Sequence, residues 1–467
     1  MTQMAVRRPS RSARHAGGKA ARHEAPLASH SEFQPSSGRD PVALLLDQAT
    51  SRLPELVPVR HGRMLVSPFT YYRGAALPMA ADLARTPTSG LRVQLCGDAH
   101  LANFGGFASP ERTLVFDVND FDETLPGPFE WDVKRFAASL AVAGRDNGYS
   151  AKQRRVVALA GVEAYRTAMR TFANMPTLKV WYAHLNLDDA LAELGSQVSK
   201  KSRKRTERSL AKARTRDSMQ AFGKLTITVD GHPQIISDPP LIVPVEELTG
   251  HMEADAFYKQ LSQLLDSYML TLSDARRHLV QQFTLIQLAR KVVGVGSVGT
   301  RAWVMLLEAD DGQEPLFLQA KEAQESVLAG YAGPSQYTNQ GERVVAGQHL
   351  MQAASDIFLG WQRTTGLDNI ERDFYIRQLR DWKISAEIEQ MNPRGMAIYA
   401  GLCGWTLARA HARSGDRIAI AAYLGKSDAF DKAVADFAET YADQNELDHA
   451  ALSAAVADGR AHAEFGL

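Results

Sequence analysis

Apolar positions along the chain alternate between the three-to-four spacing of amphipathic helices and the short runs typical of strands. They recur at helical spacing over 41–53. An aromatic, turn-rich stretch follows, Ser67-Pro68-Phe69-Thr70-Tyr71-Tyr72-Arg73-Gly74. Two short apolar runs, 91–95 and 113–118, predict strands, and each leads into an acidic loop. Pro126, Gly127 and Pro128 are read as a chain break, and a helix is predicted from Trp131 to about Asp146.

The middle of the chain reads as mainly helical. Ser150 is placed to cap a helix running to about Ala173, and a second helix is expected over 187–220. A hairpin is predicted from 224–229 and 234–237 around Asp230-Gly231, and then a helix over 245–274. After about Thr284 the character changes. Three strands are predicted at 285–294, 300–308 and 315–321, the first two joined by a glycine-rich stretch and the last two with the help of Asp310-Asp311-Gly312. A helix over 342–354, a strand over 373–379 and a helix over 395–411 follow, and helices finish the chain. This pattern predicts an α+β protein with a small antiparallel-sheet lobe set inside a larger, mainly helical one.

Composition narrows the class. Of 467 residues, 45% are hydrophobic and 23% charged, enough for a packed core over most of the length. Lys+Arg and Asp+Glu balance at 53 each, so global charge does not argue for nucleic acid or a membrane surface. No apolar run approaches bilayer length. The basic N-terminus (Arg7, Arg8, Arg11, Arg14, Lys19, Arg22) lacks the apolar segment of a secretory signal, and residues 1–35 read as a disordered tail. Cys96 and Cys403 form no disulfide or zinc pattern, which fits a cytoplasmic location. The basic stretch from Lys200 to Arg216 reads as a solvated helix face, because nucleic-acid binding would ask for interleaved aromatics or a known module.

The chemistry gathers in the two acidic loops. The first offers Asp98, His100 and Asn103; the second offers Asp117, Asp120 and Asp122. A carboxylate on one loop and an amide on the other suit Mg2+, which takes hard oxygen ligands alongside phosphate oxygens. A further carboxylate can orient an attacking hydroxyl and accept its proton. The stretch Gly294-Val295-Gly296-Ser297-Val298-Gly299 lacks the spacing and lysine of a Walker loop and is not followed by a helix. A glycine turn between two strands is instead the arrangement that covers phosphates in kinases, and Lys321 falls near the end of the third strand, where such a lysine belongs. Glu322, Glu325 and Glu342 are candidate partners for it, Glu342 favoured because it opens a predicted helix. Arg73 beside Tyr71 and Tyr72 is a candidate phosphate-facing guanidinium.

Gly97-Asp98-Ala99-His100-Leu101-Ala102-Asn103 resembles the catalytic loop of aminoglycoside and choline kinases, Asn119-Asp120-Phe121-Asp122 their metal-binding segment, and Trp131-Asp132-Val133-Lys134-Arg135 the helix start that follows. The resemblance implies Asp98 as catalytic base, with His100 beside it. It also implies Asn103 and Asp120, or the neighbouring Asp122 or Asp117, as magnesium ligands, and Asp132 as a buttress of the loop. Cys96 stands where the family often has His. By the same resemblance Gly294, Gly296, Ser297, Gly299, Lys321 and Glu342 would serve ATP. Gly404-Trp405-Thr406-Leu407-Ala408-Arg409-Ala410-His411-Ala412 resembles the helix that precedes the catalytic loop in those enzymes, yet here it follows it; His411 reads as a buried, bonded histidine. Reading from about Leu285 to the end and then from the beginning restores the expected order. The implied architecture is a bilobal protein-kinase-like fold in circular permutation, with 36–280 and 391–467 forming the helical catalytic lobe and 281–390 the nucleotide lobe. Over about residues 40–460 the chain also resembles an uncharacterised bacterial family, domain of unknown function 2252. The segments that carry this are Tyr72-Arg73-Gly74-Ala75, 94–105, 119–123, the glycine stretch and 404–412.

The expected activity is ATP- and Mg2+-dependent phosphoryl transfer to a small-molecule or protein acceptor, with no membrane partner. Three alternatives remain beside it: nucleotidyl transfer, a metal-dependent hydrolase built on Asp98, His100, Asp120 and Asp122, and a non-catalytic nucleotide sensor.

Overall fold

The computed structural model describes residues 9–194, 200–249, 264–292, 294–309, 314–366, 368, 370–379 and 381–467. Val293, the Asp310-Asp311-Gly312 turn and much of the helix expected over 245–274 lie outside the described residues; the start of that helix is present as Val245–Thr249.

The chain is a mixed α+β protein with antiparallel sheets. Its larger core is helical. Phe129–Asp146 is buried on every side for most of its length, packed by Ala151–Asn174, Pro393–Ser414 and Ala429–Ala457. The helix starts are written locally. Ser150 accepts from the Gln153 N–H while the Gln153 side chain returns to Ser150, a reciprocal cap of the kind that stabilises by about 1 kcal/mol. Asn392 caps Pro393–Ser414 with proline at its first turn.

The smaller lobe is a six-stranded antiparallel sheet in the order Gly360–Thr365, Glu371–Gln378, Pro315–Ala323, Ala302–Ala309, Phe283–Lys291, Ile242–Pro244. Three consecutive strands form a meander, the helix Gln340–Met351 follows, and the chain returns to the far edge before inserting Glu371–Gln378 beside Pro315–Ala323. Alternation sorts the third strand's faces: Leu316 and Leu318 join one apolar cluster, Phe317 another. Smaller sheets carry the acidic loops. Phe104–Ala108 pairs with Leu114–Val118, and Arg92–Leu95 pairs with Leu125–Pro128.

Several expectations are corrected. The segment Pro126-Gly127-Pro128 lies in a strand, not a break; in a two-stranded ribbon a proline forfeits few ladder bonds. Ser67–Gly74 is no turn: Pro68–Gly74 is a helix with a Ser67/Thr70 capping box. The long helix expected over 187–220 ends at Arg214 and a separate helix, Ser218–Leu225, capped by Asp217, follows; before it Leu187–Leu194 and Lys200–Arg214 are helical, with 195–199 outside the described residues. Gly360–Thr365 is a strand although its largely polar sequence shows no apolar alternation that predicts one.

Residues 9–35 are not a disordered tail. Arg11–Glu24 is a helix docked on Arg417–Leu424, with the Arg14 guanidinium 2.7 Å from Asp416, Arg22 donating to the Ala422 and Tyr423 carbonyls, and His30 buried beside Tyr423. Its polar composition misleads because the helix attaches through arginines and small residues rather than through a broad apolar stripe. Residues 1–8 lie outside the described set. No helix among the described residues is long and apolar enough to cross a membrane. Cys96 and Cys403 are both buried and free.

Candidate functional site

The first acidic loop is held from below. Gly97 takes a left-handed conformation (φ 84°), and a Cβ there would stand 2.3 Å from the Glu123 carbonyl oxygen, so glycine lets the two acidic loops touch. The buried Asp132 carboxylate accepts the N–H groups of Cys96 (2.8 Å) and Gly97 (3.0 Å), while His411 lies 3.1 Å from it and bonds Tyr165 on its other side. The expected buttress and the buried, bonded histidine are therefore both in place.

Asp98 projects from this loop with 20% of its side chain exposed. Arg135, one turn beyond Asp132, donates to its Oδ1 at 2.5 Å and lies over the Tyr72 ring. That leaves Oδ2 toward the cleft, 3.6 Å from His100 Nε2. Burial pushes the His100 imidazole down to about 4, with Arg73 and Arg135 adding to the effect, so it is neutral at physiological pH. Asn103 ties the loops together: its Nδ2 donates to the Asp98 carbonyl at 2.8 Å and reaches the Asp120 carbonyl at 3.4 Å. Its Oδ1 accepts nothing from the described residues and remains open to a cation.

The sheet lobe closes over these loops. Lys321 Nζ lies 2.7 Å from Asp122 and 3.4 Å from Asp120. Burial opposes its charge, but the two carboxylates outweigh that and raise its pKa. Burial likewise opposes ionisation of Asp120, yet Lys321, Arg377 and Lys383 hold it below the ordinary aspartate value. The turn Gly294–Gly299 bends over the same point, with positive φ at both end glycines; the Ser297 hydroxyl lies 3.2 Å from Asp122, and the N–H groups of Gly296 and Ser297 donate to nothing among the described residues. A cleft of two chambers results. One, of about 400 Å³, is lined by Lys321, Gln319, Arg377 and Asp120; the other, of about 260 Å³, by Asp98, His100, Asn103, Arg73 and the glycine turn; they meet at Asp120, Ser297 and Arg377.

Three assignments change. Glu342 does not pair with Lys321; Asn339 caps its N–H, and the helix instead sends Arg343 to the carbonyls of Asp122 (2.8 Å) and Thr124 (2.7 Å). Asp122 is engaged on both oxygens, by Lys321 and by the Tyr375 hydroxyl (2.7 Å), so it positions the lysine rather than standing free for a metal. Asp117 is buried under Arg409 and bonded by the Ala353 N–H, which removes it as a ligand. Among the described residues no group of three or more His, Cys, Asp or Glu side chains is placed to hold a metal ion. The pair Asn103 and Asp120 fits a magnesium ion that takes its other oxygens from phosphate and water.

Tyr375 and Arg377 were missed. Tyr375 stands opposite Lys321 in the antiparallel register, and Arg377 shares its face two residues on, so strand alternation carried that signal. The basic helix Lys200–Arg214 is mostly exposed, and its arginines pair with Asp188, Glu207 and Glu387.

A family model described as an uncharacterised protein conserved in bacteria, DUF2252, matches residues 52–455. No curated protein and no solved structure matches.

Proposed function

We propose that this chain, which belongs to the DUF2252 family of uncharacterised bacterial proteins, is an ATP- and magnesium-dependent phosphotransferase with a kinase-like, circularly permuted architecture. One observation carries the reading. Lys321 of the sheet lobe meets Asp120 and Asp122 of the other lobe across 201 and 199 residues of sequence, beneath a glycine turn that touches the same Asp122. In protein kinases a glycine turn between two strands covers the phosphates, a lysine on the third strand neutralises them, and groups from the other lobe hold the metal. The meander with Lys321 on its third strand and a helix before the fourth supports that likeness. Permutation is supported by Pro393–Ser414, which underpins the Asp98 loop through His411 and Asp132 despite 279 residues of separation.

In this reading the larger chamber takes the nucleotide. Gly294 and Ser297, which line both chambers, approach its phosphates through backbone, Gly296 and Gly299 shape the turn that carries them, and Lys321 balances the phosphate charge. Asn103 and Asp120 would hold the magnesium ion, which supplies positive charge against the phosphate oxygens. Asp98 Oδ2 accepts the proton of an acceptor hydroxyl as its oxygen bonds to the terminal phosphorus and the bond from that phosphorus to the bridging oxygen breaks, releasing ADP. Neutral His100 borders that oxygen.

The test is thermal unfolding with ATP, with and without magnesium. A ligand that binds only the folded state raises the midpoint. The wild type should rise only when both are present, and Lys321→Ala should lose most of that rise, judged against its own unliganded midpoint. No magnesium-dependent rise in the wild type would sink the proposal.

A further inference from the structure

The smaller chamber holds more positive charge than its own acids engage. Arg52, Arg60 and Arg73 all line it. Arg60 is fully buried and Arg52 is 6% exposed. Neither they nor Arg73 has a carboxylate within salt-bridge distance among the described residues. Arg52 donates one bond, to the Val298 carbonyl at 2.6 Å; Arg60 donates to the Gly74 carbonyl and the Gln48 side chain, both at 2.9 Å. Arg52 Nε, Arg60 Nε and Nη1, and Arg73 Nε are buried with no partner.

Of the acids that line the chamber, all but Glu325 are engaged by other groups. Asp98 is bonded by Arg135, Asp122 by Lys321, and Glu322 lies beside Arg301 and Arg372. Glu123 is tethered by the Val327 N–H at 2.7 Å. A buried guanidinium without a counter-charge costs several kcal/mol, and neighbouring like charges add to that. Burial pushes Arg52 down to about 10 although Glu123, Glu322 and Asp122 favour its charge from a distance, which leaves it cationic near neutral pH; burial, and then Arg52, disfavour the charge on Arg60 against a smaller pull from Tyr71 and Glu123. Such a cluster beside Asp98 is an arrangement for an anion supplied from outside.

We propose that the smaller chamber binds a phosphate monoester group carried by the acceptor, so that the phosphotransferase acts on an already phosphorylated small molecule. Three guanidiniums exceed what one carboxylate requires, whereas a phosphate monoester carries close to two negative charges near neutral pH and offers three acceptor oxygens. The arginines line the chamber that contains Asp98 and are absent from the one that contains Lys321, which assigns the anion to the acceptor rather than to the nucleotide. The assignment to an acceptor rests on the phosphotransferase reading; the anion pocket does not.

The experiment measures inorganic phosphate binding to the full chain by calorimetry and by thermal shift. The wild type should bind phosphate without nucleotide. Arg52→Met and Arg73→Met should each weaken that binding about ten-fold or more, the loss of a charge-assisted hydrogen bond. Their unliganded midpoints should stay level or rise, because an unpaired charge has been removed. A purely structural arginine would instead lower the midpoint on substitution. Lys321→Ala should keep its phosphate binding, so a failure of the nucleotide reading leaves this result standing. Absence of phosphate binding in the wild type, or unchanged binding in both arginine variants, would overturn the pocket. Competition between phosphate and ATP would overturn the acceptor assignment and give the arginines to the terminal phosphate of the nucleotide.

Discussion

Beneath the acidic loops, buried charge meets its opposite; among the arginines that line the chamber beside Asp98, it does not. Arg409 lies on Asp117, and Arg135 on Asp98. Arg52 and Arg60, equally buried, find only carbonyls, one side-chain amide and empty directions. The difference separates architecture from recognition. A paired buried charge holds two elements in register, and removing one member strands the other. An unpaired buried charge is a standing penalty that a ligand of opposite sign relieves.

The largest expected effect comes from the group that stands between the two regions. Asp98→Asn keeps the shape of the loop but removes the proton acceptor. Turnover should fall about a hundred- to ten-thousand-fold, the usual weight of a general base, while the magnesium-dependent ATP shift is retained; full phosphotransfer by this variant, followed by product formation, would refute the role.

Next comes the paired side of the comparison. Arg409→Met leaves Asp117 buried and uncompensated, so urea unfolding should show a loss of about 3–5 kcal/mol. A loss no larger than that of Arg52→Met would erase the distinction between the two regions.

The smallest effect sits on Glu123, in the chamber. Burial, with Asp122 and Asp98 adding to it, pushes its carboxyl up to about 7 from an ordinary value of 4.5. Between those values the folded chain binds more protons at this residue than the unfolded chain. Its contribution to stability is therefore greatest below about pH 4.5 and is lost as pH rises to about 7. Glu123→Gln should flatten that decline in unfolding free energy measured across the window, with little change at its acid end. An unchanged slope would mean that Glu123 is ionised throughout.

Legibility followed the length scale of the interaction. Gly97, Asp98, His100 and Asn103 lie on one short loop, and local spacing sufficed to group them. The glycine turn and Lys321 were legible for the same reason: they are bound to a strand meander whose alternation is visible in the apolar pattern. Arg135 was within reach, since it lies one helical turn from Asp132. Glu342 illustrates the limit. It opens a helix in a plausible place, but which side chain faces Lys321 depends on how that helix rotates against the sheet, and the facing carboxylates came from the other lobe.

Sequence alone settled the order of the acidic loops, the strand meander and the main helices, and the sets of residues that share a loop or a strand face, because helix and strand periods and turn chemistry act over a few residues. Tertiary structure decided which charge meets which: Asp122 rather than Glu342 for Lys321, Arg409 for Asp117, and no carboxylate for Arg52 or Arg60. It also ordered the N-terminal helix, whose arginines find their carbonyls and Asp416 only once the far end of the chain has folded beside them. Partner choice rests on packing between elements hundreds of residues apart, and no local pattern encodes that geometry.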